Sequence, residues 1–227
     1  MNDFQLSIIF DNHRELLAGA AITLKITAIS FILALVIGAV VGIARSRPGL
    51  RRWLFTPYVE VFRGTPLLIQ LFFIYYALPV AGITMDNLVA AYVGVGLCGG
   101  AYISEIVRGA LYSVESGQRE AALSLGLSPV QAMVHVILPQ AMRVAIPPLM
   151  NAFSAQLKET SLVSVLAINE LTRCGQMVYS RTFRPFEIYT AVAVIYFVMT
   201  FSVSLLSRRL ERVFHVSGRV SAEQRNG

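Results

Sequence analysis

The segment EAALSLGLSPVQAMVHVILP, residues Glu120–Pro139, lies between long apolar blocks of a 227-residue chain and is itself moderately polar and helix-forming. Its pattern predicts a short amphipathic helix over residues 118–125, a break at Gly126 and a second helix after Ser128 and Pro129. Ser128 suits the capping position, and Pro129 suits the first helical position, where its missing N–H is not needed. A helix, a glycine turn and a second helix between membrane spans indicate a docking element.

The rest of the chain is too apolar and too poor in charge for an ordinary soluble domain. Hydrophobic residues make up 56% of it, charged residues make up 14%, and the mean hydropathy is +0.63. About 20 mainly apolar residues cross a bilayer as a helix, and helices satisfy their own backbone groups in lipid. We therefore expect an all-α polytopic membrane protein with five transmembrane helices, over residues 16–44, 56–79, 85–111, 141–166 and 188–207.

These spans are predicted to form a single transmembrane domain over residues 1–227. Within it, we expect an external N-terminal segment that forms a short interfacial helix, a five-span core and a cytoplasmic loop between the third and fourth spans. Residues 167–187 are predicted to be the longest external loop, and a basic cytoplasmic tail follows the core. The corresponding ranges are 1–15 for the external segment, 16–207 for the core, 112–140 for the cytoplasmic loop and 208–227 for the tail.

The distribution of arginines predicts the orientation in the membrane. Twelve arginines lie beside the connections on one side and four on the other, which puts the 112–140 loop and the C-terminus in the cytoplasm and the N-terminus outside. The net charge of +6 is then a topogenic signal and an affinity for anionic lipid headgroups, with no need for nucleic acid. The twelve are Arg45, Arg47, Arg51, Arg52, Arg108, Arg119, Arg143, Arg208, Arg209, Arg212, Arg219 and Arg225; the four are Arg14, Arg173, Arg181 and Arg184.

The sequence offers little catalytic chemistry. Its three histidines are scattered, and Cys98 and Cys174 are too few and too far apart for a disulfide framework or a metal site. No GxxxxGK[ST] segment that would cradle nucleotide phosphates occurs in the sequence. We therefore predict that the chain is not an enzyme, and we interpret Cys98 as a small packing residue inside the third span.

Three longer segments carry a resemblance to a known family. Glu120-Ala121-Ala122, Gly126 and Leu138-Pro139 resemble the cytoplasmic signature loop of permease subunits of bacterial ABC importers, although Val136 stands where the family pattern has isoleucine. RGTPLLIQ, SEIVRGALYSVESGQREAALSLG and LPQAMRVAIPPLMNAFSAQLKETSLVSV are similar to the polar amino acid branch of that family. The similarity extends from the first span to the last.

The resemblance implies that residues 120–126 form a coupling helix that seats in a cleft of a separate ATPase. It also implies that ATP and Mg are bound by a cytoplasmic ATPase dimer, with no cofactor in this chain. Other implied partners are a second permease copy or a similar subunit, a periplasmic or lipid-anchored substrate-binding protein, and the lipid of a bacterial inner membrane. Without the resemblance, an interfacial amphipathic helix remains the alternative. The expected coupling residues are Arg119, Glu120, Ala121, Ala122 and Gly126.

Polar residues inside the second and fourth spans are candidates for a substrate pathway, because charges within a membrane must pair or face water. An amino acid zwitterion needs donors for its carboxylate and an acceptor for its ammonium group. Purely structural ion pairs, of Arg63 with Glu60 or Glu105 and of Lys158 with Glu159, are the alternatives. The candidates are Arg63, Thr65, Gln70, Lys158, Glu159, Thr160 and Ser161.

Other positions in the spans predict structure. Glu105 and Arg108 are three residues apart and are expected to form a structural ion pair. Gly38 and Gly42, and the glycine-rich third span, predict close helix packing. Gly64 and Pro66 are expected to loosen the second span, and Pro147-Pro148 to kink or break the fourth.

Together these patterns predict the transmembrane subunit of an ATP-driven importer that carries a polar amino acid or a related solute across the inner membrane. The alternative is a gradient-driven secondary amino acid transporter or channel subunit. Secondary transporters usually contain internal repeats, and neither the signature segment nor RGTP occurs twice.

Overall fold

The computed structural model describes residues 5–46 and 49–213, without the side chains of Arg51 and Val213. Met1–Phe4 of the predicted external segment, Arg47, and residues 214–227 of the predicted tail lie outside this range. In the described residues the regular elements are helical: α1 (Leu6–Arg45), α2 (Leu50–Gly64), α3 (Leu67–Phe72), α4 (Asn87–Tyr112), α5 (Ser116–Ser124), α6 (Pro129–Ala132), α7 (Leu138–Glu159), α8 (Leu171–Thr182) and α9 (Pro185–Val213).

The number of candidate spans agrees with the sequence prediction. Over the described residues, the segments 6–45, 87–112, 129–166 and 185–212 are long and apolar enough to cross a membrane. A bent pair of helices, residues 52–64 and 67–81, makes a fifth span if it is taken as one. The side of the membrane on which each end lies stays a prediction.

The first span is a single helix of 40 residues, so the prediction of a separate interfacial helix in residues 1–15 is wrong where the structure describes it. No proline or glycine interrupts residues 6–16. Leu16 is buried against α8 and α9, which holds this N-terminal part of α1 in the bundle.

The second span is broken, as Gly64 and Pro66 predicted. The helices before and after the break are bent by 108°, and Thr65 between them is extended, with φ −117° and ψ 144°. Proline restricts the residue before it to this extended region, so the bend follows from the Thr65-Pro66 peptide. After α3 the chain continues as a π-helical turn, Phe73–Ala77, and a short 3₁₀ helix, Leu78–Ala81.

The fourth span is longer than predicted and is continuous. A π-helical turn, Met133–Ile137, joins α6 to α7, and a 3₁₀ helix, Thr160–Leu166, follows α7. Helix α7 runs through Pro147 and Pro148, so the predicted break at these residues is not found. The second helix of the signature segment, α6, is therefore continuous with α7.

Residues 167–187 connect the fourth and fifth spans largely as predicted, but most of them are in α8 and not in an irregular loop. Leu171, Cys174 and Val178 on one face of this helix are buried against α1 and α9. Burial of this apolar face, which tertiary contacts alone provide, makes a 12-residue helix stable where the charges of the segment indicated a solvated loop.

Close packing of α1 on α4 confirms the role predicted for the glycines. A Cβ atom at Gly38 would clash with Ile103, and one at Gly42 would lie 2.7 Å from the Ser104 carbonyl oxygen. The α4 glycines from Gly94 to Gly100 are similarly crowded, whereas Gly109 has open space. Cys98 is buried in the adjoining core, as predicted.

Candidate functional site

The loop after α4 folds as the sequence predicted. Helix α5 ends in a Schellman motif, in which Gly126 N–H donates to Leu123 O at 3.0 Å and Leu127 N–H donates to Ala122 O at 3.2 Å. Gly126 has a φ of +85°, which a residue with a Cβ atom adopts only with strain. Its role is conformational, because nothing lies within 4 Å of where a Cβ would be.

The second helix begins with a complete capping box. Gln131 N–H donates to the Ser128 hydroxyl at 3.3 Å, and Ser128 N–H donates to the Gln131 side-chain oxygen at 2.9 Å. Pro129 occupies the first turn, as predicted. Both ends of the turn between α5 and α6 are thus fixed by local hydrogen bonds.

The predicted coupling residues divide into two groups. Arg119, Glu120, Ala121 and Gly126 are exposed, so their surfaces are available to a partner. Ala122 is only 3% exposed and packs toward its own chain, so its small side chain lets α5 lie close to the bundle. Its part in coupling stays a prediction.

Sequence reasoning missed the exposed apolar side chains of this loop. Leu123, Leu125 and Val130 are 40%, 84% and 72% exposed. The available signal was the presence of leucines and a valine in a loop predicted to lie in water, since exposed apolar side chains mark binding sites when they form a patch. We define this loop surface as the coupling face: Arg119, Glu120, Ala121, Leu123, Leu125 and Val130.

A cavity of about 460 Å³ lies between α2, α4 and α7. This volume is within the range of small-molecule sites, about 300–1,000 Å³. It is lined by the polar residues Arg63, Glu105, Asn151, Gln156 and Glu159, together with Gly99, Tyr102, Ile103, Ile106, Pro148, Ala152 and Ala155. The structure thus brings together two of the predicted pathway residues, Arg63 from the second span and Glu159 from the fourth.

Arg63 reaches this cavity from the last turn of α2, immediately before the break. A cation is favoured there because the C-terminal end of a helix carries partial negative charge. Its guanidinium lies 5.6 Å from the centre of the Tyr102 ring and its Nη1 lies 3.8 Å from Glu105 Oε2. The side chain is 41% exposed, so one face of the cation is open to the cavity.

Glu105 is the centre of a charged cluster, which we call the Glu105 cluster: Arg45, Arg63, Glu105 and Arg108. Arg108 Nη2 lies 2.5 Å from Glu105 Oε2, so the predicted ion pair is present. Arg45 donates a hydrogen bond to Glu105 Oε1. The sequence indicated only a topological role for Arg45, yet this residue is 7% exposed and pairs across helices. Among the described residues, Arg63 is ion-paired with Glu105 at 3.8 Å and not with Glu60.

The other predicted pathway residues of the second span stabilise the break. The Gln70 amide nitrogen donates to the carbonyl oxygens of Phe62 and Thr65, at 2.8 and 2.9 Å. These carbonyls lie on either side of Gly64, where regular helical bonding ends. Gln70 is buried beneath the bend, and neither Gln70 nor Thr65 is among the cavity-lining residues described.

The predicted Lys158–Ser161 run is also divided. Glu159 lines the cavity, whereas Lys158, Thr160 and Ser161 are absent from its described lining. Thr160 is fully buried, donates to Gln156 O at 2.8 Å and has its hydroxyl 3.0 Å from that of Thr27 on α1. The Thr160 side chain thus points at α1 in this conformation, and its role in the substrate pathway stays a prediction.

A second buried carboxylate lies in the segment predicted to be a loop. Glu170 caps α8, accepting hydrogen bonds from the backbone N–H groups of Thr172 and Arg173 at 2.9 and 2.8 Å. The hydroxyls of Thr23 and Tyr196 lie 3.3 and 3.0 Å from its Oε2. Burial raises the pKa of the Glu170 carboxyl, and the N–H donors oppose that rise.

Comparison with known proteins defines the class. Residues 34–215 match the model of a family described as binding-protein-dependent transport system inner membrane component. The chain belongs to this family, and it is a multi-pass membrane protein. It is 43% identical over 212 residues to the glutamine transport system permease protein GlnP of Escherichia coli (strain K12), covering 92% of this chain and 97% of that protein.

Further similarities narrow the class. The L-cystine transport system permease protein TcyB of Bacillus subtilis (strain 168) is 40% identical over 196 residues, with 86% of this chain and 84% of TcyB covered. A crystal structure of an amino acid ABC transporter with histidines is 36% identical, with a TM-score of 0.86 over 93% of this chain and 99% of that chain. The chain is thus a permease subunit of the polar amino acid branch of ABC importers, a membrane component and not an enzyme.

Proposed function

We propose that this chain is the transmembrane subunit of an ATP-driven importer, and that it moves a polar amino acid through the cavity between α2, α4 and α7. One observation carries the proposal. The helical segment 129–166 begins at the coupling face and continues to the cavity wall, where it supplies Asn151, Gln156 and Glu159. A displacement of the coupling face would therefore be transmitted to the cavity wall by the continuous helical segment 129–166.

The charges at the cavity favour a zwitterion. Arg63 offers a guanidinium to a carboxylate, and Glu159 offers a carboxylate to an ammonium group. Gln156 and Asn151 add amide groups that can both donate and accept hydrogen bonds. The named substrates of two relatives, glutamine and L-cystine, have the same α-amino and α-carboxylate groups, so L-glutamine is the first substrate to test.

The proposed assembly contains partners for each part of the chain. The coupling face docks on a cytoplasmic ATPase dimer, which binds ATP and Mg, and residues 120–126 act as the coupling helix. A second permease copy or a similar subunit completes the pathway, because five spans are few for a pore. A periplasmic or lipid-anchored binding protein delivers substrate at the other face. The complex lies in the lipid of a bacterial inner membrane.

Coupling is tested by purifying the tagged chain from detergent and measuring the ATPase that co-purifies. We expect Glu120→Arg and Gly126→Trp to lose the ATPase, because the first reverses a charge of the coupling face and the second disrupts the turn at a φ of +85° that positions this face. Asp11→Arg, a charge reversal at an exposed residue near the start of α1, is the matched control and should retain it. Retention of the ATPase in both coupling variants would contradict the proposed docking site.

Transport is tested by uptake of radiolabelled L-glutamine into proteoliposomes that contain the complete complex. Arg63→Gln and Glu159→Gln should each lower uptake by about tenfold or more, because a hydrogen bond to a charged group is lost, while the ATPase stays bound. The tests use the full set of polar amino acids if L-glutamine is not carried. Uptake without any ATPase, driven by an ion gradient, would instead support a secondary transporter.

A further inference from the structure

The carboxylate of Glu105 is shared unequally among three arginines. Arg45 donates a hydrogen bond to Oε1, and Arg108 donates from Nε and Nη2 to Oε2, at 3.2 and 2.5 Å. The Nη1 atom of Arg63 is 3.8 Å from the same Oε2 atom, beyond hydrogen-bond length. Both carboxylate oxygens are therefore occupied by arginines other than Arg63.

Among the described residues, only two members of the Glu105 cluster line the cavity. Arg63 and Glu105 line it, while Arg45 and Arg108 do not. Arg45 approaches from the last turn of α1, and Arg108 lies one helical turn after Glu105 on α4. Glu105 is thus paired mainly with two arginines outside the cavity. Among the described lining residues, Arg63 is the cation, 3.8 Å from Glu105 Oε2, and Glu159 is the other anion.

Because Arg45 and Arg108 bind Glu105, Arg63 does not form a hydrogen bond with this nearby carboxylate. A guanidinium and a free carboxylate this close would pair directly, since the bidentate geometry of such pairs is favourable. Arg63 would then be turned to Glu105 and its charge would be cancelled. The structure has the two groups in reach of one another but not hydrogen-bonded.

We propose that Arg45 and Arg108 are positioning residues that occupy Glu105 and so keep the guanidinium of Arg63 available to an anionic group in the cavity. A role of this positioning in transport rests on the proposed function. The competition of three arginines for one carboxylate does not depend on any substrate. Arg108 is the stronger competitor for Arg63, because it holds the Oε2 atom that Arg63 faces.

The test measures the reactivity of Arg63 with phenylglyoxal, a reagent that modifies arginines, in the assembled complex in lipid nanodiscs. Site-resolved mass spectrometry reports the adduct at Arg63, with the 58% exposed Arg181 as internal reference. In Arg108→Gln we expect modification of Arg63 to slow by about two- to fivefold, the range for a partly exposed ion pair. Arg45→Gln should slow it less, because Arg45 holds the other oxygen.

A second substitution distinguishes pairing of Arg63 with Glu105 from general damage to the fold. Adding Glu105→Gln to either variant removes the carboxylate that would capture Arg63, so its modification rate should return to the wild-type value. Arg143→Gln removes an exposed arginine of α7 and is the matched control, with no change at Arg63. An unchanged rate in Arg108→Gln, or a slow rate that Glu105→Gln does not restore, would overturn the proposal.

Uptake of L-glutamine by the same variants distinguishes this inference from the proposed function. If both are right, uptake falls and recovers in step with the reactivity of Arg63. If reactivity follows the predicted pattern and uptake does not, Arg45 and Arg108 position Arg63 as inferred, and the role of Arg63 in transport is wrong. If reactivity does not follow the pattern, the positioning role fails whatever uptake does.

Discussion

The hydroxyl of Tyr196 on α9 donates a hydrogen bond of 3.0 Å to the carboxylate of Glu170 at the start of α8. The Thr23 hydroxyl on α1 lies 3.3 Å from the same oxygen and also accepts a hydrogen bond from Leu171 N–H at 3.1 Å. One buried side chain therefore connects three helices. The helix that replaced the predicted 167–187 loop is held to the bundle by this group as well as by its apolar face.

Replacement of Glu170 by alanine should destabilise the protein. It removes a helix cap, worth about 1 kcal/mol, and leaves buried donors unsatisfied, which costs about 1–3 kcal/mol. We expect the free energy of unfolding to fall by about 2–4 kcal/mol, measured by thermal or denaturant unfolding of the purified complex. Glu15→Ala, which removes the exposed ion pair with Arg181, is the control and should cost at most about 1 kcal/mol. Equal losses in the two variants would contradict the role of Glu170.

The same carboxyl should make stability depend on pH. Because its folded-state pKa is raised above the ordinary value of 4.5, the folded state holds the proton more tightly than the unfolded state. The stability that this proton contributes is fully present below the unfolded pKa and is lost as pH rises through the folded pKa. The unfolding temperature of the wild type, minus that of the non-titrating Glu170→Gln variant, should fall as pH rises above 4.5. A difference that is constant or rises would refute the sign.

Gly126 should tolerate substitution according to backbone conformation and not according to size. Alanine at its φ of +85° costs roughly 1–2 kcal/mol, whereas asparagine adopts this region more readily. We expect Gly126→Ala to lower the amount of ATPase that co-purifies and Gly126→Asn to lower it less. Gly117→Ala is the matched control, because Gly117 lies inside α5 with equally open space and should accept a Cβ without loss. Equal behaviour of the two alanine variants would count against the turn.

The crossing of α1 and α4 should be sensitive to a single methyl group. A Cβ atom at Gly38 would clash with Ile103, and overpacking of this kind typically costs about 1–3 kcal/mol. Gly38→Ala is therefore expected to lower the unfolding temperature of the detergent-solubilised protein. Gly109→Ala, in the same pair of helices but facing open space, should leave the unfolding temperature unchanged or raise it. If Gly38→Ala lowers the unfolding temperature less than Gly109→Ala does, close packing of α1 on α4 at Gly38 does not contribute to stability.

Sequence patterns predicted the features that depend on neighbouring residues along the chain. The turn at Gly126, the cap at Ser128 and the loosened helix at Gly64 and Pro66 follow from backbone preferences, so they were visible without a structure. The five apolar blocks were visible because length and hydropathy alone decide what a bilayer accepts. The packing role of Gly38 also followed from spacing, since residues four apart share one helical face.

Other features were decided by contacts between residues far apart in sequence. The charges of residues 167–187 indicated a solvated loop, but burial of Leu171 and Val178 against α1 and α9 makes the segment a helix. Arg45 looked like a surface charge until α4 brought Glu105 to it. Thr160 and Glu159 are adjacent in sequence, yet one faces α1 and the other lines the cavity.

The sequence by itself therefore determined the class of protein, the membrane-spanning blocks and the helix–turn–helix after α4, because these depend on local backbone preference and on hydropathy. The tertiary structure alone decided which charges on different helices meet. Arg63 and Glu159 share a cavity and Arg45 stands behind Glu105 because α1, α2, α4 and α7 pack together, and side-chain pairing across helices depends on their rotation and approach. The rotation of the helices and the distance between them cannot be obtained from the spacing of residues along the chain.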